Sequence, residues 1–415
     1  TPFSQIFDTM RFDIEITESN RFKRNLTHWR PRECIKLGFP SRLIPSIAST
    51  SKSCMCNWVL EPFNLPKTRA FGAIASVGAI TVIQEYLALD IYNSAGIEDK
   101  VKALCIAMHG RMIHDSHGNT FQSNYSGRDH EYINSISRGG LNALLLDEAE
   151  KHENVTIYFN KTCKSVDFEN TTAFFKDYHS KKEFIEDADI IIATDGAGSA
   201  MRKSYYLGKK FLFSFSQDYL SHGYKELSIL PKENGDYKTY KNALHIWPRG
   251  DFMLIALPNL DGSFTVTLFL SYNEGNYNFN NLTNEEVVLE FFKKEFPDAL
   301  SLMPNLLDDF FQNPTAPLGT VKCSPWHYKG NTLLMGDAAH AIVPFYGQGM
   351  NASFEDVVEF DKVLDQNLEN WEAVFKTYES TRKKDTDAIA DLAIDNFHEM
   401  KDHVANPIFQ EKRKL

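Results

Sequence analysis

Residues 333–351 have the sequence LLMGDAAHAIVPFYGQGMN, and this stretch decides the fold. Its apolar start predicts a strand that ends at Gly336-Asp337, and after a loop containing Pro344 a helix is expected to begin around residues 347–351. This order puts a carboxylate at the end of a strand and a helix N-terminus a few residues later. The carboxylate can accept hydrogen bonds from the hydroxyls of a sugar alcohol, and the unpaired N–H groups of the helix favour an anion.

A flavin offers both of these partners, because it has a ribitol chain and a ring that becomes anionic on reduction. The loop before the helix holds Pro344, Phe345 and Tyr346, followed by Gly347 and Gly349. Proline stiffens the approach to the ring, and the glycines let the backbone come close to its flat face. The alternative is an ordinary helix entry with a proline-glycine turn.

A second carboxylate follows another apolar run. Residues 188–194 predict a strand buried on both faces, as in a parallel sheet, and the run stops at Asp195-Gly196. Ligands of open α/β sheets lie outside the carboxyl ends of the strands, where such a carboxylate would meet a nucleotide. A plain strand-to-turn Asp-Gly pair is the alternative. The presence of Gly336-Asp337 after another buried strand favours the cofactor site.

The pattern of apolar residues changes along the chain. Residues 141–149 carry leucines at helical spacing, residues 155–159 predict a short strand, and alternating runs such as residues 252–257 predict antiparallel strands. After residue 366 the pattern is helical, with an apolar stripe through Trp371 and Tyr378. We therefore predict an α/β fold in four parts: a doubly wound, Rossmann-like domain formed by residues 1–205 and 323–365, an inserted antiparallel substrate domain at residues 206–322, and C-terminal helices at residues 366–415.

Composition excludes several functional classes. The 415-residue chain is 43% hydrophobic and 24% charged, and its net charge of -11 argues against nucleic-acid binding. No apolar run reaches the ~18 residues that a membrane span needs, and no signal peptide opens the sequence. The six scattered cysteines are typical of a reducing cytoplasm. No metal site is expected, because Cys54 and Cys56 are too close for a zinc ribbon and residues 114–117, HDSH, are expected to form a polar turn.

The first 85 residues do not fit the rest of the chain. Residues 21–70 contain ten Lys or Arg and two acidic residues, although the whole chain is acidic. A dinucleotide-binding strand should lead into Gly-x-Gly-x-x-Gly, but the glycines before residue 90 are Gly38, Gly72 and Gly78, and their spacing is wrong. Either the adenosine half of a cofactor is held differently here, or the upstream sequence is mistranslated or frame-shifted.

Several passages identify a family. Residues 336–356 resemble the second flavin motif of the class A aromatic-ring hydroxylases. Within that group, residues 96–400 are similar to the kynurenine 3-monooxygenase family nearly throughout. The passages that carry this resemblance are residues 111–114 (RMIH), 216–219 (SQDY), 222–227 (HGYKEL), 245–249 (HIWPR) and 252–258 (FMLIALP).

The resemblance implies an activity and a set of site residues. It implies a flavoprotein monooxygenase that binds FAD, uses NADPH or NADH and O2, and converts L-kynurenine to 3-hydroxy-L-kynurenine. Substrate-binding positions of the family match Arg111, Tyr125 and Asn396, and Asn396 also interrupts an apolar helical stripe. The positions that would contact the cofactor, by resemblance or by the patterns above, are Arg138, Asp195, Gly196, Gly336, Asp337, Gly347, Gly349, Met350 and Asn351.

The sequence also departs from the family. Tyr346 stands where the family has the second of two phenylalanines beside the flavin, and no side chain is expected to act as a nucleophile or base. Eukaryotic members carry a C-terminal membrane anchor that is not seen here, so we expect a cytoplasmic protein of bacterial type. Two other functions stay open: a different flavin hydroxylase, and a non-catalytic or FAD-deficient relative of the family. The sequence predicts no oligomeric state.

Overall fold

A computed structural model describes residues 46–50, 53–60, 82–84, 96–125, 132–209, 211–366 and 370–398, with the backbone alone for residues 46–50, 53–60, 82–84, 346 and 398. The anomalous first 85 residues therefore lie mostly outside the described residues. The helices are α1 (Glu98–Lys102), α2 (Arg138–Ala149), α3 (Ala200–Leu207), α4 (Glu285–Glu295), α5 (Pro297–Leu302), α6 (Leu306–Gln312), α7 (Asp337–His340), α8 (Gly349–Leu364) and α9 (Trp371–His398), with a 3-10 turn at Pro344–Tyr346.

Eighteen strands are described. They are β1 (Ser46–Thr50), β2 (Ser53–Leu60), β3 (Val82–Gln84), β4 (Cys105–Met108), β5 (Gly110–His114), β6 (Thr120–Asn124), β7 (Ile133–Ile136), β8 (Lys161–Asp167), β9 (Thr172–Asp177), β10 (Glu183–Asp187), β11 (Ile190–Thr194), β12 (Ser214–Ile229), β13 (Leu244–Pro248), β14 (Met253–Pro258), β15 (Phe264–Ser271), β16 (Ala316–Ser324), β17 (His327–Tyr328) and β18 (Thr332–Leu334).

One sheet carries both predicted carboxylates. Its strand order is β1-β2-β11-β18-β17, and all five residues of β11 are buried, as the apolar run predicts. β11 and β18 run parallel, with Ala193 opposite Leu334. On the outer sides of this pair, β2 runs antiparallel to β11 and β17 runs antiparallel to β18. Because parallel strands end at the same edge, the turns that follow β11 and β18 lie side by side.

A larger sheet has two differently covered faces. Its order is β16-β12-β15-β14-β13-β5-β6, and its one parallel pair is β13 with β5. Trp247 and Leu254 belong to a core with helices α4, α5 and α6 on what we call the back face. On the front face, Phe269 and its neighbours pack with the 3-10 turn and α9. The sheet also includes the hairpin β5–β6, which lies outside the range 206–322 predicted for this domain.

The helices begin and pack largely as the sequence indicates. The Ser137 side chain accepts a hydrogen bond from Gly140 N at the start of α2, and the apolar stripe of α9 is buried at Phe375 and Tyr378. The strand predicted at residues 155–159 is wrong, because only Tyr158 forms an isolated bridge. Asn160, at φ 62°, turns the chain out of the extended conformation before a ladder can form.

A buried carboxylate joins three parts of the chain. Asp356 on α8 has no exposed surface, and its Oδ2 accepts hydrogen bonds from Gly336 N at 2.9 Å and from His340 Nε2 at 2.6 Å. Its Oδ1 accepts from Arg382 Nε of α9 at 2.8 Å. Burial alone would raise the pKa of Asp356, but the His340 and Arg382 charges and hydrogen bonds outweigh it and lower the pKa. This cluster fixes the end of β18 against α8 and α9.

No helix in the described part of the chain combines the length and the apolar composition that crossing a bilayer would need. Within the same residues, no three His, Cys, Asp or Glu side chains are grouped so that they could hold a metal ion.

Replacing Arg382 with Met should destabilise the protein by about 3–5 kcal/mol, because it leaves a buried charge without its cationic partner. Unfolding by urea, followed by circular dichroism, measures the loss. Lys362→Met is the matched control, since Lys362 forms an exposed pair with Glu359 at 2.7 Å that should be worth less than about 1 kcal/mol. Equal losses in the two variants would contradict a special role for Asp356.

Candidate functional site

The two Asp-bearing turns meet at the edge of the first sheet. Met335 N donates to Ala193 O at 3.0 Å, so the backbone pairing continues past the end of both strands. Gly196 and Gly336 have φ values of 79° and 58°, a region that glycine enters without the strain of a side chain. Each glycine therefore lets the chain turn sharply beside its carboxylate.

The two carboxylate oxygens of Asp195 have different surroundings. Its Oδ2 accepts hydrogen bonds from Ala200 N at 2.7 Å and Met201 N at 3.3 Å, and so it caps α3. Its Oδ1 is buried and receives no hydrogen bond from the described residues. Since a buried carboxylate oxygen without a donor is costly, this atom is positioned for a donor that the described chain does not supply.

A buried arginine that sequence reasoning did not single out ties the two turns together. Arg202 donates from Nη1 to Ala338 O at 2.7 Å and from Nη2 to Ala197 O. It is 3% exposed, and Ser199 accepts from its backbone N–H at 2.9 Å. The signal in the sequence is a cation six residues after Asp195-Gly196, in the first turn of a helix that follows a buried strand.

Asp337 carries a carboxylate with an unfavourable environment. Burial, opposed by the charge of His340 and reinforced by that of Asp356, raises its pKa to about 6. The positive charges of Arg202 and Arg138 act in the opposite direction. The group is therefore ionised near neutral pH at a cost in stability, which a ligand donating hydrogen bonds would offset.

The loop after α7 is fixed from two sides. Phe345 packs on Phe269 of the sheet at a ring-centroid distance of 5.2 Å and on Phe397 of α9 at 4.7 Å. Asn396 donates from Nδ2 to Phe345 O at 2.8 Å, and Gly347 ends the 3-10 turn at φ 66°. The predicted substrate-side residue Asn396 thus holds the loop predicted to lie beside the flavin.

Pro344 begins the 3-10 turn, and the side chain of Tyr346 lies outside the described residues. Helix α8 then starts at Gly349 without a side-chain cap from Gln348. Met350 and Asn351 are buried in its first turn, and Asn351 donates from Nδ2 to Gln348 Oε1 at 3.1 Å. Asn351 Oδ1 is buried with no partner among the described residues, so it is a second acceptor that faces no donor.

Arg111 and Tyr125 form a pair on the front face of the hairpin. Arg111 is opposite Ser123 in the β5–β6 register, and Tyr125 lies two residues further on the same face. The guanidinium carbon of Arg111 is 5.5 Å from the centre of the Tyr125 ring. Burial raises the pKa of Tyr125 to about 12, and its hydroxyl has no hydrogen-bond partner in the described chain.

Arg138 at the start of α2 acts electrostatically on groups of both sheets. Its charge lowers the pKa values of Asp337 on one side and of Glu226 and Tyr224 of β12 on the other, although burial raises all three. Arg138 therefore supplies positive potential between the Asp-bearing turns and the front face of the larger sheet.

The structure brings most of the predicted residues into three connected groups. The Asp195 and Asp337 turns share Arg202, the Pro344–Tyr346 turn is joined to α9 through Asn396, and Arg111 pairs with Tyr125. Among the described residues, no hydrogen bond or ring contact joins the Arg111–Tyr125 pair to Asn396. The Arg111–Tyr125 pair and Asn396 are connected indirectly, through the front-face core. This core contains Met108, near Arg111 in sequence, and Ala393, near Asn396.

Sequence reasoning did not find the cluster of Asp356, His340 and Arg382. One signal was present for Arg382. Tyr378, Arg382 and Thr386 follow one another at four-residue spacing, and Arg382 is 1% exposed in the middle of that buried stripe. A cation in phase with an apolar stripe indicates a buried partner.

Comparison with known proteins places these features in context. The profile of the FAD binding domain family matches residues 81–393. The kynurenine 3-monooxygenase of Dictyostelium discoideum is 47% identical over 336 residues, which cover 78% of this chain and 71% of that protein. The kynurenine 3-monooxygenase of Myxococcus xanthus is 44% identical over 321 residues, covering 77% and 68%.

Solved structures of other proteins share the fold. One is 2-methyl-3-hydroxypyridine-5-carboxylic acid oxygenase, with a TM-score of 0.61 at 19% identity, covering 83% of this chain and 86% of that one. Another is HpxO of Klebsiella pneumoniae complexed with FAD, with a TM-score of 0.60 at 17% identity, covering 80% and 84%. With the described elements, these likenesses confirm the predicted fold class, an FAD-binding domain with an inserted antiparallel sheet and a C-terminal helical segment.

Replacing Asp337 with Asn should stabilise the FAD-free protein and weaken FAD binding. The pKa of Asp337 is raised to about 6 in the folded protein. The folded state therefore loses stability as the pH rises from the lower pKa of the unfolded chain through 6, because the buried carboxyl group must then ionise. At pH 8 the variant should gain about 1–3 kcal/mol, and at pH 4 almost nothing. Thermal melts at both pH values and FAD titration measure the effects, with exposed Asp147→Asn as the control. A variant less stable at pH 8 would contradict this account.

Proposed function

The chain belongs to the kynurenine 3-monooxygenase family, and we propose that it hydroxylates L-kynurenine to 3-hydroxy-L-kynurenine with bound FAD, NADPH or NADH, and O2. The curated relatives named above support the reaction, and the FAD binding domain match supports the cofactor. Members from an amoeba and from a bacterium are both among these relatives, so the expected bacterial origin stays a prediction.

The described residues fit the flavin half of FAD. Two buried acceptors, Asp195 Oδ1 and Asn351 Oδ1, have no donors in the described chain. Ribityl hydroxyls would supply such donors. The uncapped start of α8 and the nearby Arg138 would favour the anionic form of the reduced ring. We propose that these residues hold the flavin and ribitol.

The observation that carries the substrate assignment is the Arg111–Tyr125 pair. An exposed guanidinium stands over an aromatic ring whose buried hydroxyl has no partner within the described residues. This pair can bind a carboxylate, with the arginine supplying charge and parallel N–H groups and the tyrosine a single O–H donor. The carboxylate of an amino acid such as kynurenine suits it.

The chain's own part in the reaction is to position the substrate and to exclude water from it. Bound FAD, reduced by NADPH or NADH, would supply the electrons that activate O2, of which one atom would enter the substrate ring and the other would leave as water. The apolar front-face core around Phe345 and Phe269 would hold the substrate ring and keep water away from it. Asn396 keeps the Phe345 loop in place, and no described side chain needs to act as nucleophile or base.

The alternatives have less support. A hydroxylase of another aromatic acid is not favoured, because the curated relatives from eight sources share the kynurenine name at 41–47% identity. A non-catalytic relative is likewise not favoured, and FAD binding tests it directly. We also infer a cytoplasmic site of action, which the free thiols of Cys105, Cys163 and Cys323 support.

The protein purified after incubation with FAD should show flavin absorption bands at close to one FAD per chain. With NADPH or NADH it should then convert L-kynurenine to a product heavier by one oxygen atom, as measured by mass spectrometry. A colourless protein would refute the proposed cofactor site as it stands in this chain. Bound FAD without kynurenine turnover would favour the hydroxylase of a different acid.

Arg111→Ala should raise the KM for kynurenine far more than it changes FAD content, because it removes the cation that faces the substrate carboxylate. Loss of a desolvated charged hydrogen bond costs about 2–5 kcal/mol, which predicts a KM increase of roughly thirtyfold or more. Gln122→Ala is the matched control, since Gln122 lies on the same hairpin but alternates to the opposite face. A KM change under about threefold for Arg111→Ala would remove Arg111 from the site.

A further inference from the structure

A polar network lies on the back face of the hairpin that carries Arg111 and Tyr125. We call it the back-face network, and its members are His114 of β5, His245 and Trp247 of β13, and Asp298 of α5. Asp298 Oδ2 accepts from His114 Nδ1 at 2.7 Å and from Trp247 Nε1 at 2.8 Å. His114 Nε2 is 2.9 Å from His245 Nδ1. The polar turn predicted at residues 114–117 is thus wrong for His114, which is buried at the end of a strand.

Hydrogen-bond partners fix the protons of this network. His245 Nε2 must donate to Tyr240 O at 2.7 Å, because a carbonyl oxygen only accepts. Burial lowers the pKa of His245 to about 4, so this ring is neutral and its Nδ1 accepts from His114 Nε2. His114 then donates from Nδ1 to Asp298 and from Nε2 to His245. Burial alone would raise the pKa of Asp298, but the His114 and Trp247 hydrogen bonds lower it to about 2.

Strand alternation puts the network directly behind the substrate-binding pair. In the β5–β13 register Leu244 is opposite Arg111 and His245 is opposite Met112. Met112 and His114 therefore share one face with His245, and Arg111 points to the other. The same strand presents its cation to the front and its imidazole to the back.

The hairpin has few other attachments to the sheet. Three residue pairs join β5 to β13, and β6 is an exposed edge strand. Arg249 adds hydrogen bonds to His114 O at 3.1 Å and Asp115 O at 3.2 Å, while its Nε donates to Glu295 O at 2.7 Å. Such a short ladder leaves the side-chain contacts on the back face to set the position of the strand.

We propose that the back-face network is a positioning device for Arg111 and Tyr125, and that it sets the affinity for the substrate carboxylate without contacting it. This inference rests on the proposed function. It also accounts for residues 245–249, HIWPR, whose polar members His245, Trp247 and Arg249 alternate onto the back face and all hold β5 or α5.

Asp298→Asn in the FAD-loaded protein tests the proposal, because it keeps the shape of the side chain and removes the charge that pairs with His114. The KM for kynurenine should rise about tenfold, since a small displacement of a binding group costs that much, while kcat stays within about twofold. The amine formed by decarboxylating kynurenine should show no change in KM. In an Arg111→Ala background, Asp298→Asn should add less than about twofold. Trp247→Phe, which keeps the stacked ring 4.0 Å from His114, is the milder second variant.

Glu379→Gln is the matched control. Glu379 Oε2 accepts from His327 Nδ1 at 2.7 Å and from Trp326 N at 2.9 Å, so it has the same chemistry away from the hairpin. It should lower the melting temperature and leave the kynurenine KM unchanged. Equal KM increases for kynurenine and its amine, or full additivity with Arg111→Ala, would overturn the proposal.

Amide hydrogen exchange separates this proposal from the proposed function. Asp298→Asn should speed exchange in residues 110–124 and Glu379→Gln should not, whether or not a ligand is present. Unchanged exchange in the hairpin would overturn the positioning role even if the unmodified protein hydroxylated kynurenine. Faster exchange confined to the hairpin, with no kynurenine turnover in the unmodified protein, would support the network and refute the proposed function alone.

Discussion

The Asp356 carboxylate is the constraint on which the arrangement of the cofactor side depends. An ion without exposed surface must be paired and hydrogen-bonded, and its partners come from two segments: Gly336 N and His340 at α7, and Arg382 of α9. Meeting that requirement brings the end of β18, the middle of α8 and the middle of α9 together. The Asp337 turn, the loop at Phe345 and the amide of Asn396 take their positions from these three segments. The cluster around Asp356 therefore acts on the site by fixing the positions of these segments.

The larger sheet divides two tasks between its faces. Its back face is closed by α4, α5 and α6 and holds the polar contacts of His114 and Asp298, while its front face stays apolar toward Phe345. Arg111 reaches the front face from a strand that is held from behind. The carboxylate-binding cation and the apolar ring site that we propose can thus lie close together without polar groups entering the apolar core.

Local sequence pattern predicted the parts of the molecule that depend on near neighbours. The buried run of β11, the Asp-Gly turns and the entry to α8 each follow from residues within one segment. The pairing of Asp356 with Arg382 could not be read in this way, because the two are 26 residues apart in sequence and meet through the packing of two helices. His114 was missed for the same reason, since its partner Asp298 is 184 residues away. The resemblance to a family supplied Arg111 and Tyr125, which no periodicity marks.

Alternation along β13 makes two properties of the protein separately adjustable. Leu244 and Ile246 project to the front-face core, whereas His245 and Trp247 project to the back. An engineer who wishes to admit a differently shaped aromatic amino acid can vary Leu244 and Ile246 while leaving the intervening residues untouched. Variation at the intervening positions would change where the hairpin sits. Under the proposed function, a five-residue stretch of sequence thus contains two independent design variables, one for ring shape and one for carboxylate recognition.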